Sequence, residues 1–96
     1  MLSLKPNCEH CGTLLAYNAT NAYICSFECT YCEHCALTVF ENVCPSCTGN
    51  FSKRPIRPVK WLEKYPADTR ILHQPKNITD TFKIQQTLKN TAPENR

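Results

Sequence analysis

The chain of 96 residues carries eight cysteines, only two glycines and a formal net charge of +3. A chain of this length builds one small domain whose apolar core alone gives little stability, so a metal or disulfide staple is expected. No segment approaches the roughly 18 apolar residues that a membrane-spanning helix needs, and the first residues lack the apolar stretch of a secretory signal. We therefore expect a cytoplasmic protein with no membrane partner, in which clustered cysteines bind metal instead of forming disulfides.

Cysteines and charges divide the chain into a head and a tail. All eight cysteines lie between Cys8 and Cys47, and residues 1–52 carry one base against four acids, a charge of −3. Residues 53–96 contain no cysteine and carry ten bases against four acids, a charge of +6. Opposite charges of this size favour contact of the basic tail with its own head or with an acidic partner.

The cysteines form four pairs with the short spacing that is typical of zinc knuckles. The pairs are Cys8-x2-Cys11, Cys25-x3-Cys29, Cys32-x2-Cys35 and Cys44-x2-Cys47. Each such turn can project two sulfurs toward one ion, and Zn²⁺ prefers four tetrahedral thiolate or imidazole ligands. Eight thiolates fill two closed sites and leave no position for a reacting water, which predicts two structural Zn²⁺ ions per chain and no enzymatic activity.

The spacing alone leaves open which pairs share a metal. In a cross-brace the first and third pairs hold one ion and the second and fourth hold the other, whereas in a sequential arrangement the first four cysteines share one ion. Only two residues separate Cys29 from Cys32, which favours interleaved sites. His10 and His34 lie inside a repeated Cys-Glu-His-Cys tetrapeptide, and we predict both to be exposed because the cysteines already fill the sites. Iron ligation and a disulfide framework are the alternatives that these cysteines also allow.

The segments between the pairs predict short elements. Residues 13–24 have room for a loop and a short hairpin, with turn-forming residues near Asn18 followed by strand-forming Tyr23 and Ile24. Residues 36–43 contain no Gly or Pro and repeat apolar side chains at helical spacing, which predicts a helix of two turns. The expected fold class is a small zinc-stabilised α+β domain with one short hairpin and one short helix.

The tail is predicted to be basic and mostly irregular. Residues 55–75 form a proline-containing segment that we expect to pack on the head through its large apolar side chains, because leaving them in water is unfavourable. These side chains are Trp61, Leu62 and Tyr65.

The last part of the tail, residues 76–96, is predicted to contain one helix and a disordered end. The helix is expected over residues 80–90 with Thr79 as its cap, and residues 91–96 are expected to be disordered.

A resemblance to a known fold addresses the metal pairing. The stretch from Phe27 to Cys35, the predicted short helix and the final Cys-Pro-Ser-Cys resemble the second half of a RING finger in its all-cysteine form. The resemblance covers about residues 8–47 and implies a RING-like cross-brace of treble-clef type over residues 1–54. It places one Zn²⁺ on Cys8, Cys11, Cys32 and Cys35, and the other on Cys25, Cys29, Cys44 and Cys47.

A second resemblance is narrower. It rests on Leu4-Lys-Pro-Asn-Cys-Glu-x-Cys11, Ile24-Cys-Ser-Phe-Glu-Cys-Thr-Tyr-Cys32, Val43-Cys-Pro-Ser-Cys47 and Arg54-Pro-Ile-Arg-Pro58. These residues are similar to those of a small bacterial cysteine-rich family known as domain of unknown function 1272 (DUF1272), over residues 1 to about 73. The family name carries no activity, so this resemblance implies a fold and a metal but no reaction.

The function that we predict is that of a binding or adaptor module, in which zinc makes a small surface rigid for a protein partner. RING-like domains resemble this use, and their partner groove lies between the two zinc loops. In this chain the corresponding residues are Thr13, Leu14, Leu15, Ala36 and Pro45.

The main alternative is nucleic-acid binding, because basic side chains next to an aromatic can contact phosphates and stack on a base. The residues concerned are Lys53, Arg54, Arg57, Lys60, Trp61 and Lys64. Ubiquitin-ligase-like activity fits less well because the bacterial resemblance implies no ubiquitin system. Zinc buffering or sensing also fits less well, because large apolar residues such as Tyr31 and Phe40 lie between the ligands.

Overall fold

A hairpin built around the second cysteine pair forms the centre of the head. The computed structural model describes residues 1–96, and its sheet contains β1 (Ala22–Ile24), β2 (Thr30–Cys32) and β3 (Ser52–Lys53). Strand β1 lies in the middle and pairs antiparallel with both neighbours. The chain reverses between β1 and β2 where the Cys25 amide donates a hydrogen bond of 3.1 Å to the Cys29 carbonyl. The predicted strand residues Tyr23 and Ile24 lie in β1, but the hairpin encloses the second pair and does not lie within residues 13–24.

A short helix follows the third pair and is shorter than the predicted helix over 36–43. It has π-helical geometry and covers His34–Val39. It ends because Glu41 and Asn42 adopt left-handed backbone conformations, with φ of 47° and 62°, and a right-handed helix cannot continue through them. Of the four apolar positions that predict this helix, Ala36, Phe40 and Val43 are nevertheless buried, and Val39 is half-buried.

Three aromatic rings fill the core next to the cysteines. Tyr31 and Phe40 meet edge to face with their ring centroids 5.0 Å apart, and Phe51 meets Tyr31 at 5.5 Å in the same manner. The same buried cluster contains five of the eight cysteines: Cys8, Cys25, Cys32, Cys35 and Cys44. The packing that forms the core therefore also positions these thiols.

Arg54 is a buried structural residue. It is only 4% exposed, and its two terminal nitrogens donate hydrogen bonds of 2.8 Å to the carbonyls of Lys5 and Ala16. Burial lowers the pKa of its guanidinium. The sequence suggested that Arg54 contacts nucleic acid. Because the head encloses its guanidinium, Arg54 instead acts as an internal clamp.

Residues 55–76 run along the N-terminal segment of the head. The Arg57 guanidinium donates to the carbonyls of Leu2 and Tyr65, each at 2.8 Å. The buried Asn7 side chain exchanges two hydrogen bonds with the backbone of Leu72, at 2.9 and 3.3 Å. These polar contacts join the segment to the head, and they also commit Arg57 to the fold.

Trp61 does not make the contact that the sequence predicted for it. It ends a 3₁₀ turn, Val59–Trp61, and is 47% exposed, with the Lys60 ammonium 5.6 Å from its ring centroid. Leu62 and Tyr65 are half-buried. The prediction that Trp61 anchors the segment is wrong because backbone and arginine hydrogen bonds hold the segment in place instead.

The helix of the tail, α1, covers Ile78–Leu88 and not residues 80–90. It begins two residues early because the Asn77 side chain accepts the Asp80 amide at 3.1 Å and caps the helix in place of Thr79. Neither α1 nor any other helix in the structure is long and apolar enough to cross a membrane.

The end of the tail lies on the head, in contrast to the disorder predicted for residues 91–96. A 3₁₀ turn covers Pro93–Asn95, and the Arg96 guanidinium then donates to the carbonyls of Asn42 and Thr48, at 3.1 and 3.0 Å. The prediction failed because these partners lie far away in the sequence and become available only in the folded head.

Candidate metal centre

The thiols of the first and third pairs meet beside the end of β2. Their sulfur atoms all lie within 4.8 Å of one another and belong to Cys8, Cys11, Cys32 and Cys35. The sulfurs of Cys11 and Cys32 are 3.7 Å apart. Tetrahedral ligation with Zn–S bonds of about 2.3 Å separates two sulfurs by about 3.8 Å. The spacing of this first group therefore suits a four-thiolate zinc ion.

Local backbone geometry closes the first knuckle. Gly12 has a φ of 84°, and its amide donates to the Cys8 carbonyl at 3.0 Å. Glycine adopts this left-handed conformation without a steric penalty. A backbone bridge between Asn7 and Leu14 then holds the two ends of the knuckle together, which brings the Cys8 and Cys11 thiols to the same side of the turn.

The thiols of the second and fourth pairs form a second group. The sulfurs of Cys25, Cys44 and Cys47 lie within 4.8 Å of one another. Cys29 lies outside this limit, but the neighbouring Cys44 thiol lowers its pKa. Three thiols are therefore in place for a metal, and the fourth lies next to them.

Backbone amides point at the sulfurs of the second group. Cys25 accepts from the amides of Phe27 and Cys29, both at 3.3 Å, and Cys47 accepts from Gly49 at 3.4 Å. Such N–H donors offset the charge of metal-bound thiolates. The backbone donors of this group therefore favour negatively charged thiolates over neutral thiols.

Burial and hydrogen bonds among the thiols shift their pKa values in opposite directions. Burial acts to raise the pKa of Cys11, but hydrogen bonds from Thr13 and neighbouring thiols outweigh it and lower this pKa to about 6, while burial raises the pKa of Cys35. In the second group a hydrogen bond from Cys44 lowers the pKa of Cys29 to about 6 and raises that of Cys44 itself. A divalent cation removes these protons and neutralises the thiolates together.

The comparison with known proteins gives the family. The profile of the family described as "Protein of unknown function (DUF1272)" matches residues 1–57, more than half of the chain. The chain belongs to this family. An uncharacterized protein of Rhizobium meliloti (strain 1021) is 48% identical over 75 residues, which are 78% of this chain and 89% of that relative. No solved structure matches the chain.

The part of the chain that matches DUF1272 contains all eight cysteines and both structural arginines, Arg54 and Arg57. Helix α1 and the Arg96 contact lie outside this match. The two cysteine groups and the buried Arg54 clamp therefore lie in the region shared with the family, and α1 lies beyond it.

The two histidines of the DUF1272 region belong to neither group of sulfurs. The His10 ring accepts the Lys76 amide through Nδ1 at 2.9 Å and packs against the Phe40 ring at 5.1 Å. His34 is exposed. His10 thus has a structural role in docking the tail, whereas the sequence suggested only an exposed knuckle residue.

Two hydroxyl groups next to the sulfurs complete the metal centre. Thr13 lies 3.1 Å from the Cys11 sulfur, and Ser26 lies 3.3 Å from the Cys47 sulfur. Thr13 follows its cysteine by two residues and could have been identified from the sequence. Ser26 lies 21 residues from Cys47, so only the fold reveals this contact.

The partner groove expected from the RING resemblance is partly a core. Leu15 is 2% exposed and Ala36 is fully buried, which removes both from any surface. Thr13 and Leu14 are exposed, and Pro45 is half-buried. In a domain this small, Leu15 and Ala36 are needed to cover the cysteines and cannot also line a surface groove.

Proposed function

We propose that this protein binds two structural Zn²⁺ ions in a cross-brace and acts as a rigid, non-catalytic adaptor for a protein partner. The observation that carries the proposal is the interleaved grouping of the sulfurs. The first pair lies with the third, and the fourth lies with Cys25 of the second. This order ties the N-terminal knuckle, the hairpin and the short helix into one unit.

The donor set supports zinc as the metal. All-thiolate sets are soft and negatively charged, and four such ligands around Zn²⁺ leave no open position for a substrate or water. In each site a Zn²⁺ with four thiolates carries a net charge of about −2, which the surrounding N–H and hydroxyl donors stabilise. The proposed role of the metal is therefore to fold and hold the head.

Metal content and connectivity test this proposal. Protein expressed with zinc is expected to contain two zinc ions per chain by elemental analysis. In cadmium-substituted protein, NMR correlations are expected to link Cys8 and Cys32 to one metal, and Cys25 and Cys44 to the other. One zinc per chain, bound iron, or a metal shared by Cys8 and Cys25 would contradict the proposal.

Exposed apolar side chains next to the cysteines support a protein-binding role. Leu14 is 76% exposed after the first knuckle, and Phe27 is 78% exposed within the Cys25–Cys29 loop. Large apolar side chains held in water on a rigid frame are typical of partner contacts. The metal-tied loops fix where both side chains lie.

A second candidate function is nucleic-acid binding, which the exposed indole of Trp61 favours. With Arg54 and Arg57 committed to carbonyls of the fold, the remaining basic stretch has a stacking ring and three lysines that are all exposed. These residues are Lys53, Lys60, Trp61 and Lys64. The contact would be a short, sequence-tolerant one to single-stranded nucleic acid.

Two variants separate these functions. We expect Leu14→Ser combined with Phe27→Ser to abolish capture of the protein partner by the zinc-loaded protein, while Lys60→Ser combined with Trp61→Ser leaves capture unchanged. The nucleic-acid function predicts the reverse: single-stranded oligonucleotide binding that weakens steeply with salt and is lost in the second variant only. Equal zinc content in both variants shows that the head stays folded.

A further inference from the structure

Helix α1 bridges the two cysteine groups across the surface of the head. Just before the helix, the Lys76 amide donates to His10, which lies between Cys8 and Cys11 of the first group. Near its other end, Leu88 lines a small cavity with Thr48, the residue after Cys47 of the second group. The eleven residues of α1 span about 16 Å at 1.5 Å per residue. The helix therefore covers the face of the head that joins the two proposed zinc sites.

Polar contacts hold the end of this helix. The Lys89 ammonium lies 3.6 Å from a carboxylate oxygen of Glu41. Beyond it, Arg96 donates to the carbonyls of Asn42 and Thr48. The three head partners flank the fourth cysteine pair on both sides, so two basic side chains fasten the tail to one carboxylate and two carbonyls there.

The face that α1 turns toward the head is mixed, because the half-buried apolar residues Ile84 and Leu88 lie beside buried polar residues. Thr81 and Gln85 are buried at 6% and 7% exposure, and the Gln85 Oε1 atom has no hydrogen-bond partner. Ile78 and Phe82, one turn apart, point outward and are 54% and 53% exposed. Most helices bury their apolar face and leave polar residues in water. Because α1 leaves two large apolar side chains in water and buries an unpaired amide, it packs on the head less well than a fully amphipathic helix and is easier to displace.

We propose that α1 is an internal, displaceable ligand that covers a second partner-binding face of the head, and that the partner binds there by supplying a basic helical segment of its own. This inference rests on the proposed function as a binding module and adds a contact to the exposed Leu14 and Phe27, which α1 leaves uncovered. The charge of the site supports a basic partner, because residues 1–52 carry −3 before metal is added and α1 itself is held through Lys89 and Arg96. The exposed Ile78 and Phe82 lie on the outer face of α1, so the head does not cover them whether or not a partner has displaced the helix.

The test uses the zinc-loaded full chain and a labelled peptide of residues 76–96, which carries four bases against two acids. Lys89→Ser combined with Arg96→Ser weakens the internal helix, and the peptide should then bind at least about tenfold more tightly than it binds the wild type. Amides of α1 should also exchange with solvent at least about tenfold faster in this variant. Arg70→Ser is the matched control, because Arg70 is a tail cation paired with Asp68 and lies outside α1.

Each outcome decides the proposal. Tighter peptide binding and faster exchange in the double variant alone, with two zinc ions retained, support it. Equal peptide binding in all three proteins, or unchanged exchange of α1, overturns it while two zinc ions per chain leave the zinc scaffold standing. Loss of zinc from the double variant also overturns it, because the contacts would then stabilise the metal site and not a displaceable helix. Fewer than two zinc ions in the wild type would instead refute the proposed function.

Discussion

Removal of zinc is expected to unfold the head completely. Five cysteines lie in the buried core cluster, so the proposed metal ligands and the apolar core cannot separate. Structural zinc contributes roughly 10–16 kcal/mol of apparent binding free energy in small zinc domains, which is as large as the whole stability of a typical domain. Without the metal, hydrogen bonds among the buried thiols cannot supply a stabilising free energy of this size.

Chelation of the reduced protein should show this loss directly. The near-UV circular dichroism of the packed Tyr31 ring is expected to disappear, and the dispersed amide resonances of residues 8–54 should collapse. Helix α1 should lose its signals as well, because its contacts at His10, Asn42 and Thr48 belong to the head. Adding zinc back should restore the spectra, and chelator already saturated with zinc is the control. Dispersed signals in metal-free, reduced protein would show that the core is stable by itself.

Replacement of Arg54 by Ala is expected to cost about 3–5 kcal/mol of unfolding free energy. Its guanidinium makes two buried hydrogen bonds of 2.8 Å, and hydrogen bonds that involve a charged group contribute about 1.5–3 kcal/mol each. The arginine also joins β3 to the N-terminal segment that carries Cys8. Its removal therefore weakens the frame of the first cysteine group without touching a ligand.

Denaturation at a fixed excess of zinc measures this effect through the shift of the midpoint. Arg54→Lys should lose a smaller part of the stability, because one ammonium cannot reach two carbonyls in the forked geometry of a guanidinium. The neighbouring Lys53→Ala is the matched control, since Lys53 is exposed and surface substitutions usually change stability by less than about 0.5 kcal/mol. A loss for Arg54→Ala as small as that of the control would show that the clamp is dispensable.

The local chemistry of the head could be predicted from the sequence. Cys-x-x-Cys turns bring two sulfurs together whatever surrounds them, and the apolar side chains that predicted a helix over 36–43 lie in or against the core. The ends of the elements were harder to predict. The helix after the third pair stops before Glu41, which has a positive φ, and α1 starts at Ile78 because the Asn77 side chain caps it.

The role of each basic residue was decided by the tertiary structure alone. Arg54, Arg57 and Arg96 look alike in a list of charges, yet each binds carbonyls that lie far from it in the sequence. The exposure of Trp61 has the same origin, because the segment that carries it is held by backbone and arginine hydrogen bonds and needs no aromatic anchor. Metal ligands can be recognised within four residues because their geometry is local. A clamp, a docked helix or an exposed indole depends on which distant carbonyls and surfaces the fold brings within hydrogen-bonding distance.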